Sequence, residues 1–173
     1  VGSLAASSQV EVACPDNRNP TVITWNPADK SVNIVLSEEN FRADNIVDTH
    51  AAVRATSSKS SNKWYWEVKV LAIGGGVCVG VGASGSGLGH LLGGSGDAYG
   101  YRSNNGRLYP NALAYGSSYT TNDIIGVALD LTTGKIWFAK NNVWQAAADP
   151  PAGTNEAFSG ISGTYFPKIS LAD

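Results

Sequence analysis

Charge is scarce in this chain: Asp, Glu, Lys and Arg make up 15% of its 173 residues, and the formal net charge is −2. Lys and Arg are scattered without a run, so the sequence offers no clustered positive face of the kind that nucleic acid or an anionic membrane requires. Histidine is scarcer still, with only His50 and His90. Neither has a second His, a Cys or an acid at metal-ligand spacing, which argues against a metal site. No G-x-S-x-G is present, so the elbow of a Ser-His-Asp hydrolase is missing. The two cysteines lie in unlike settings, Cys14 before Pro15 in a polar stretch and Cys78 inside Val77-Cys78-Val79. They form no CxxC and no zinc site by themselves; two free thiols or one disulfide both fit, and neither would define the fold. No apolar run reaches transmembrane length. The first eight residues lack a positive start and a continuous apolar core, so they do not read as a signal peptide. The chain begins without Met, as a processed product or an excised domain would. It reads as soluble, with no compartment indicated.

What is present is a globular composition, 43% hydrophobic, at a length that suits one domain with a real core. Residues 1–20 are polar and carry Pro15 and Pro20, and are expected to form an N-terminal arm or lead-in strand before a single domain over 21–173. Within that domain, strand-like segments recur at 32–36, 53–56, 64–71, 77–83, 124–131, 135–140 and 166–171, with weaker ones around Phe41, Tyr99 and Leu108. Their period is two. Trp64, Trp66, Val68 and Val70 fall on one face, with Tyr65, Glu67 and Lys69 on the other. Ile125, Val127, Leu129 and Leu131 do the same. Asp130-Leu131-Thr132-Thr133-Gly134-Lys135 supplies a hairpin turn with glycine where positive φ is needed, and Lys140-Asn141-Asn142-Val143 supplies the next. The best helical candidate, 144–149, is cut off by Pro150-Pro151. These signals predict an all-β, two-sheet antiparallel sandwich.

Three motifs invite chemistry and fail on context. Gly80-Val81-Gly82-Ala83-Ser84-Gly85 matches G-x-G-x-x-G, but the chain that follows is too glycine-rich to start the helix that would hold a pyrophosphate. Glycoside hydrolysis needs two carboxylates at a fixed separation. The best strand offers only Glu67, and Glu38-Glu39 lies in a turn. Aromatic side chains near turns remain: Trp25, Tyr99, Tyr101, Tyr109, Tyr115, Tyr119 and Trp144 could present flat amphipathic surface to a partner. Trp64, Trp66 and Trp137 are expected to pack in the core instead.

The order of segments from residue 63 onward resembles the SPRY family. Trp64-Tyr65-Trp66-Glu67-Val68 is similar to its "YYWEV" strand, Val79-Gly80-Val81 to "VGV", and Tyr99-Gly100-Tyr101 to the "YGY" hairpin. Residues 122–141 resemble "GDVIGVALDLDNGTISFTKNG", and 165–171 resemble the terminal "YPAVSL". The resemblance implies a jelly-roll-type sandwich that binds protein or peptide partners through loops at one end. In peptide-binding members the loop after "VGV" belongs to that surface. Here it is 84–95, rich in glycine and carrying Leu88, His90, Leu91 and Leu92, without the family's aromatic. Thr24-Trp25-Asn26-Pro27 with Val53-Arg54-Ala55-Thr56 resembles the lead-in of SPRY-type modules in bacteriophage structural proteins.

The expected function is therefore non-catalytic recognition of a protein or glycan partner, with no cofactor and no metal. A virion component that assembles with copies of itself is the alternative, and a carbohydrate-active enzyme ranks last. The partner-binding candidates are Leu88, His90, Leu91, Tyr101, Asn104, Tyr115 and Trp144. The 84–95 loop is expected to be exposed and more mobile than its flanking strands, with Leu92 tucked beneath it and Leu88 and His90 outward.

Overall fold

The structure is a computed structural model that describes residues 3–5, 22–47, 49–94 and 97–172. Its strands are β1 (Ser3–Ala5), β2 (Trp25–Lys30), β3 (Ile34–Ser37), β4 (Arg42–Asn45), β5 (Ala51–Ala55), β6 (Lys63–Val70) and β7 (Gly76–Gly82). They continue with β8 (Ala98–Arg102), β9 (Leu108–Tyr109), β10 (Ile124–Asp130), β11 (Lys135–Lys140), β12 (Val143–Trp144) and β13 (Phe166–Ala172). A seven-stranded sheet runs β12-β11-β10-β6-β1-β4-β3, and a six-stranded sheet runs β2-β5-β13-β7-β8-β9. All pairings are antiparallel. The expected all-β sandwich is what the chain forms.

Period-two alternation explains the packing. In β6, Trp66, Val68 and Val70 are buried while Tyr65 is exposed, and across the ladder Val127 opposes Trp66 and Ile125 opposes Val68. The inner face of the six-stranded sheet contributes Val53, Val77, Val79, Val81, Tyr101, Ile169 and Leu171 to the same core. Turn chemistry fixes the register. Gly134 takes φ +70°, and the Asp130 carboxylate accepts from the N–H groups of Thr132 and Thr133 at 2.9 and 3.2 Å. Asn141 and Asn142 both sit at positive φ, as a two-residue hairpin turn requires.

Several elements depart from expectation. β2 is a strand although Pro27 interrupts its pattern, and it carries Trp25 into the core at 3% exposure, so Trp25 is not a loop aromatic. Pro27 is tolerated because β2 is an edge strand whose pairing with β5 is irregular between Trp25 and Lys30. Tyr119 is likewise buried rather than presented. Within residues 1–20, Ser3–Ala5 pairs with β4 and β6 inside the seven-stranded sheet, and the rest, Cys14 included, lies outside the described residues. The segment after β12 makes only a 3₁₀ turn, Gln145–Ala147.

Candidate recognition surface

The distinctive part of the molecule is the outer face of the six-stranded sheet. Alternation directs Ala52, Arg54, Cys78, Gly80, Gly82, Ala98, Gly100, Arg102, Lys168 and Ser170 outward there. Yet β5 and β7 are buried at every position, so something covers this face. The cover is the 84–94 segment. It folds back from β7 across the sheet instead of projecting from the end of the sandwich, as the family resemblance had implied. The Ala52 N–H donates to Leu88 O at 2.8 Å, and the Leu92 N–H donates to Ser170 Oγ at 3.0 Å. Leu92 is fully buried with Cys78 and Ala98 in a small second core, with Leu91 packed beside it. Small residues make this close approach possible: a Cβ on Gly100 would stand 2.6 Å from Cys78 Sγ and 3.2 Å from Leu92.

Two buried cations hold the loop from beneath. The Arg54 guanidinium donates to the carbonyls of Ala83 (3.1 Å), Ser84 (2.5 Å) and Ser86 (2.7 Å), and pairs with Asp29 at 3.0 Å. Lys168 Nζ donates to Ser86 Oγ at 3.0 Å and Gly87 O at 2.7 Å. Burial, with Arg54 adjacent, pushes the Lys168 amine down to about 8. Sequence reasoning missed both residues because each lies in a strand of unremarkable pattern. The available signal was a charged side chain at a strand position facing a glycine-rich loop.

The seven partner candidates do not form one patch. Leu88 is half-buried and His90 exposed on the covering loop, with Leu91 half-buried between the second core and solvent. Asn104 is exposed in the β8–β9 hairpin, two residues beyond Arg102, and donates to Gly75 O at 3.0 Å. Tyr101 is a correction. Its ring has 0% exposure, stacks on Phe138 at 5.6 Å between centroids, and donates its hydroxyl to Ser117 O, so no partner reaches it. Tyr115 is half-buried with its hydroxyl accepting from the Phe138 N–H at 3.2 Å; burial raises its phenol to about 12. Trp144 packs edge-on against Tyr65 at 6.1 Å, on the outer side of the seven-stranded sheet, across the sandwich from the loop.

Cys78 is a free, buried thiol, with its ionisation pushed up by burial. A separate apolar cleft opens between the two sheets, lined by Trp25, Trp64, Trp66, Leu129 and Tyr165. Its enclosed volume is about 40 Å³. Among the described residues, no three His, Cys, Asp or Glu side chains gather, and no helix is long and apolar enough to cross a membrane.

Two antiparallel sheets closed over one core define the sandwich, and the 84–94 segment lies on its outer face. The SPRY domain model matches residues 63–172, and the chain belongs to that family. It is 30% identical over 142 residues to Ran-binding protein 10 of Danio rerio, across 75% of this chain and 23% of that protein. It is 29% identical over 141 residues to human Ran-binding protein 9, across 75% of this chain and 19% of that one. The chain thus spans less than a quarter of the length of these relatives. The SPRY domain of human HERC1 superposes with a TM-score of 0.70 at 20% identity, covering 86% of this chain and 91% of that one, which bears on fold alone. These relatives are animal proteins, and they lend no support to the phage-type lead-in.

Proposed function

We propose that this chain is a non-catalytic recognition module that grips a protein partner on the outer side of its six-stranded sheet. The carrying observation is the clamped loop: Arg54 and Lys168 fix the backbone of residues 83–87, while Gly89 and His90, between the Leu88 and Leu92 anchors, are exposed and Leu88 and Leu91 are half-buried beside them. A surface held this way loses little conformational freedom on binding, which favours affinity. Leu88, His90, Leu91 and Asn104 are retained as contact residues. Tyr115 and Trp144 would require a partner that wraps around the sandwich. The names of the related Ran-binding proteins record a protein partner, in keeping with this reading.

A photo-crosslinking residue at position 89 tests it, because nothing lies within 4 Å of a Cβ built at Gly89. A control goes at Val35, 45% exposed on the other sheet. A discrete adduct with one protein, formed at position 89, absent at 35 and suppressed by Leu88→Asp, is the expected result. Equal labelling at both positions, or adducts only between copies of this chain, would overturn it.

A further inference from the structure

The sequence shows no basic cluster, but the fold builds one. Ala52, Ser170, Cys78 and Arg102 lie in a single cross-strand row on the outer face of the six-stranded sheet. Leu88 and Leu92 are tied to the first two of these residues, so the 89–91 arch, with His90 on it, passes over that row. His50 is two residues before Ala52, just ahead of β5, and close enough to Arg102 and His90 for both to act on its imidazole. Arg102 closes the other end of the row, its guanidinium donating to the Tyr109 hydroxyl at 3.2 Å and lying 5.5 Å from that ring's centroid. Positions 50, 90 and 102 are far apart in the chain, which is why no run of basic residues reveals them.

The chemistry here is unfinished. On the seven-stranded sheet, cations meet carboxylates: Arg42 with Asp44 and Glu38, Lys63 with Asp130, Lys135 with Glu156, and Lys140 with Asp123. Among the described residues, His50, His90 and Arg102 have no carboxylate partner. Arg102 Nε and His50 Nδ1 are both buried atoms with no hydrogen-bond partner. The neighbouring groups do not supply one either: Lys168 is a further cation, and Cys78 is a protonated thiol. Arg102 as a whole is half-buried, and Tyr109 OH is the one hydrogen-bond partner of its guanidinium among the described residues, so an anion arriving at its open edge would add the missing acceptor.

We propose that His50, His90 and Arg102 frame an anion-binding notch, and that it takes a carboxylate from an acidic segment of the partner protein. The proposal rests on the recognition reading above and names the chemistry of that partner. Arg102 would make the charge-assisted contact, the imidazoles would flank it, and Leu88 and Leu91 would meet apolar groups beside the acid. Burial, then Arg102 and His90, hold His50 below its ordinary range, so it is largely neutral at pH 7. An arriving carboxylate would draw a proton onto it, and binding would tighten as pH falls from 8 to 5.5 while the partner's carboxylates stay ionised.

The intact chain is titrated with an end-capped hexa-aspartate peptide, with hexa-asparagine and inorganic phosphate as separate arms. The two imidazoles are followed by NMR and assigned with His90→Gln. Hexa-aspartate is expected to shift both histidines and raise the His50 pKa by about one unit. Arg102→Gln should weaken binding about tenfold, and Arg102→Lys should restore part of it. Unchanged imidazoles, equal response to hexa-asparagine, or a response surviving Arg102→Gln would overturn the notch. Response to phosphate alone would overturn the acidic-peptide assignment. Should Arg102→Gln not fold, binding by the unaltered chain that persists undiminished in 0.5 M salt (about a 4–5 Å screening length) overturns it equally. Crosslinking at position 89 that survives in a chain lacking the anion response would leave the recognition reading standing without the notch.

Discussion

Arg54 and Lys168 stand directly opposite each other on neighbouring strands, in register across the β5–β13 ladder, and both donate to the carbonyls of one loop. Like charges at such a position repel. Here the pairing persists because the loop's carbonyl dipoles and Asp29 converge on the two cations. A charge conflict in the sheet thus becomes the fastening for a segment with little side-chain mass of its own.

Removing Arg54 should release the loop without unmaking the sandwich. Arg54→Met leaves the carbonyls of Ala83, Ser84 and Ser86 without this donor and leaves Asp29 unpaired. The expected cost is about 2–4 kcal/mol, from the range for orphaned buried partners. In hydrogen exchange the Ala52 and Leu92 amides, both engaged in anchoring the loop, should lose protection, while those of β10 stay slow. An unchanged Leu92 amide would show that the cations do not hold the loop.

How far the sequence could be read depended on which face of a strand a residue occupied. Inward faces announced themselves: Trp66, Val68 and Val70 alternate with polar neighbours, and Ile125, Val127 and Leu129 do the same, so the sandwich and its central ladder were legible. Turn residues were equally plain at Gly134 and Asn141. The outer face of the six-stranded sheet was not legible. Both sides of β7 are buried, so alternation vanishes into an apolar and glycine run, and nothing local says that a loop returns to cover it. Tyr101 is expected at a partner surface from its place in the "YGY" hairpin, but strand parity puts it inward, among Tyr115, Tyr119 and Phe138. The proposed notch joins positions 50, 90 and 102 through folding alone, which one sequence cannot reveal.

Gly100 tests the fit between loop and sheet. A methyl there meets Cys78 Sγ at 2.6 Å and Leu92 at 3.2 Å, and both atoms are buried where neither can swing into solvent. Gly100→Ala should cost about 1–3 kcal/mol by overpacking. Cys78→Ala alone removes the nearest clash, so the double variant should recover part of the loss, visible as a coupling term in thermal melts. Strictly additive costs would contradict the packing described.

Trp66 separates bulk from polarity in the core. It is 8% exposed, and its indole N–H has no hydrogen-bond partner. Trp66→Ala should cost about 3–5 kcal/mol for the lost aromatic volume. Trp66→Phe keeps much of the ring while discarding an unsatisfied donor, so its cost should be about 1 kcal/mol or less. Comparable losses for the two variants would indicate that the N–H is engaged after all.

Lys168 gives the fold a pH dependence of definite sign. Its amine is held down to about 8, first by burial and then by Arg54, with Asp29 and Cys78 opposing, against 10.5 for an unperturbed lysine. Below pH 8 both folded and unfolded chains carry the proton, and the full burden of a buried charge lies on the folded state. Between pH 8 and 10.5 the unfolded chain holds more protons than the folded one, so stability contributed by this group rises with pH. The difference in pKa corresponds to an upper scale of about 3 kcal/mol. Tyrosines buried in the core, Tyr119 among them, have phenols pushed upward by burial and pull the other way as pH passes 10. The clean window is therefore pH 7 to 9.5. Urea midpoints of the unaltered chain, measured against Lys168→Met, should diverge across it, with the unaltered chain gaining relative to the variant as pH rises. A constant difference between the two would mean that Lys168 stays charged beneath the loop throughout, held by the Ser86 and Gly87 oxygens strongly enough to cancel its burial.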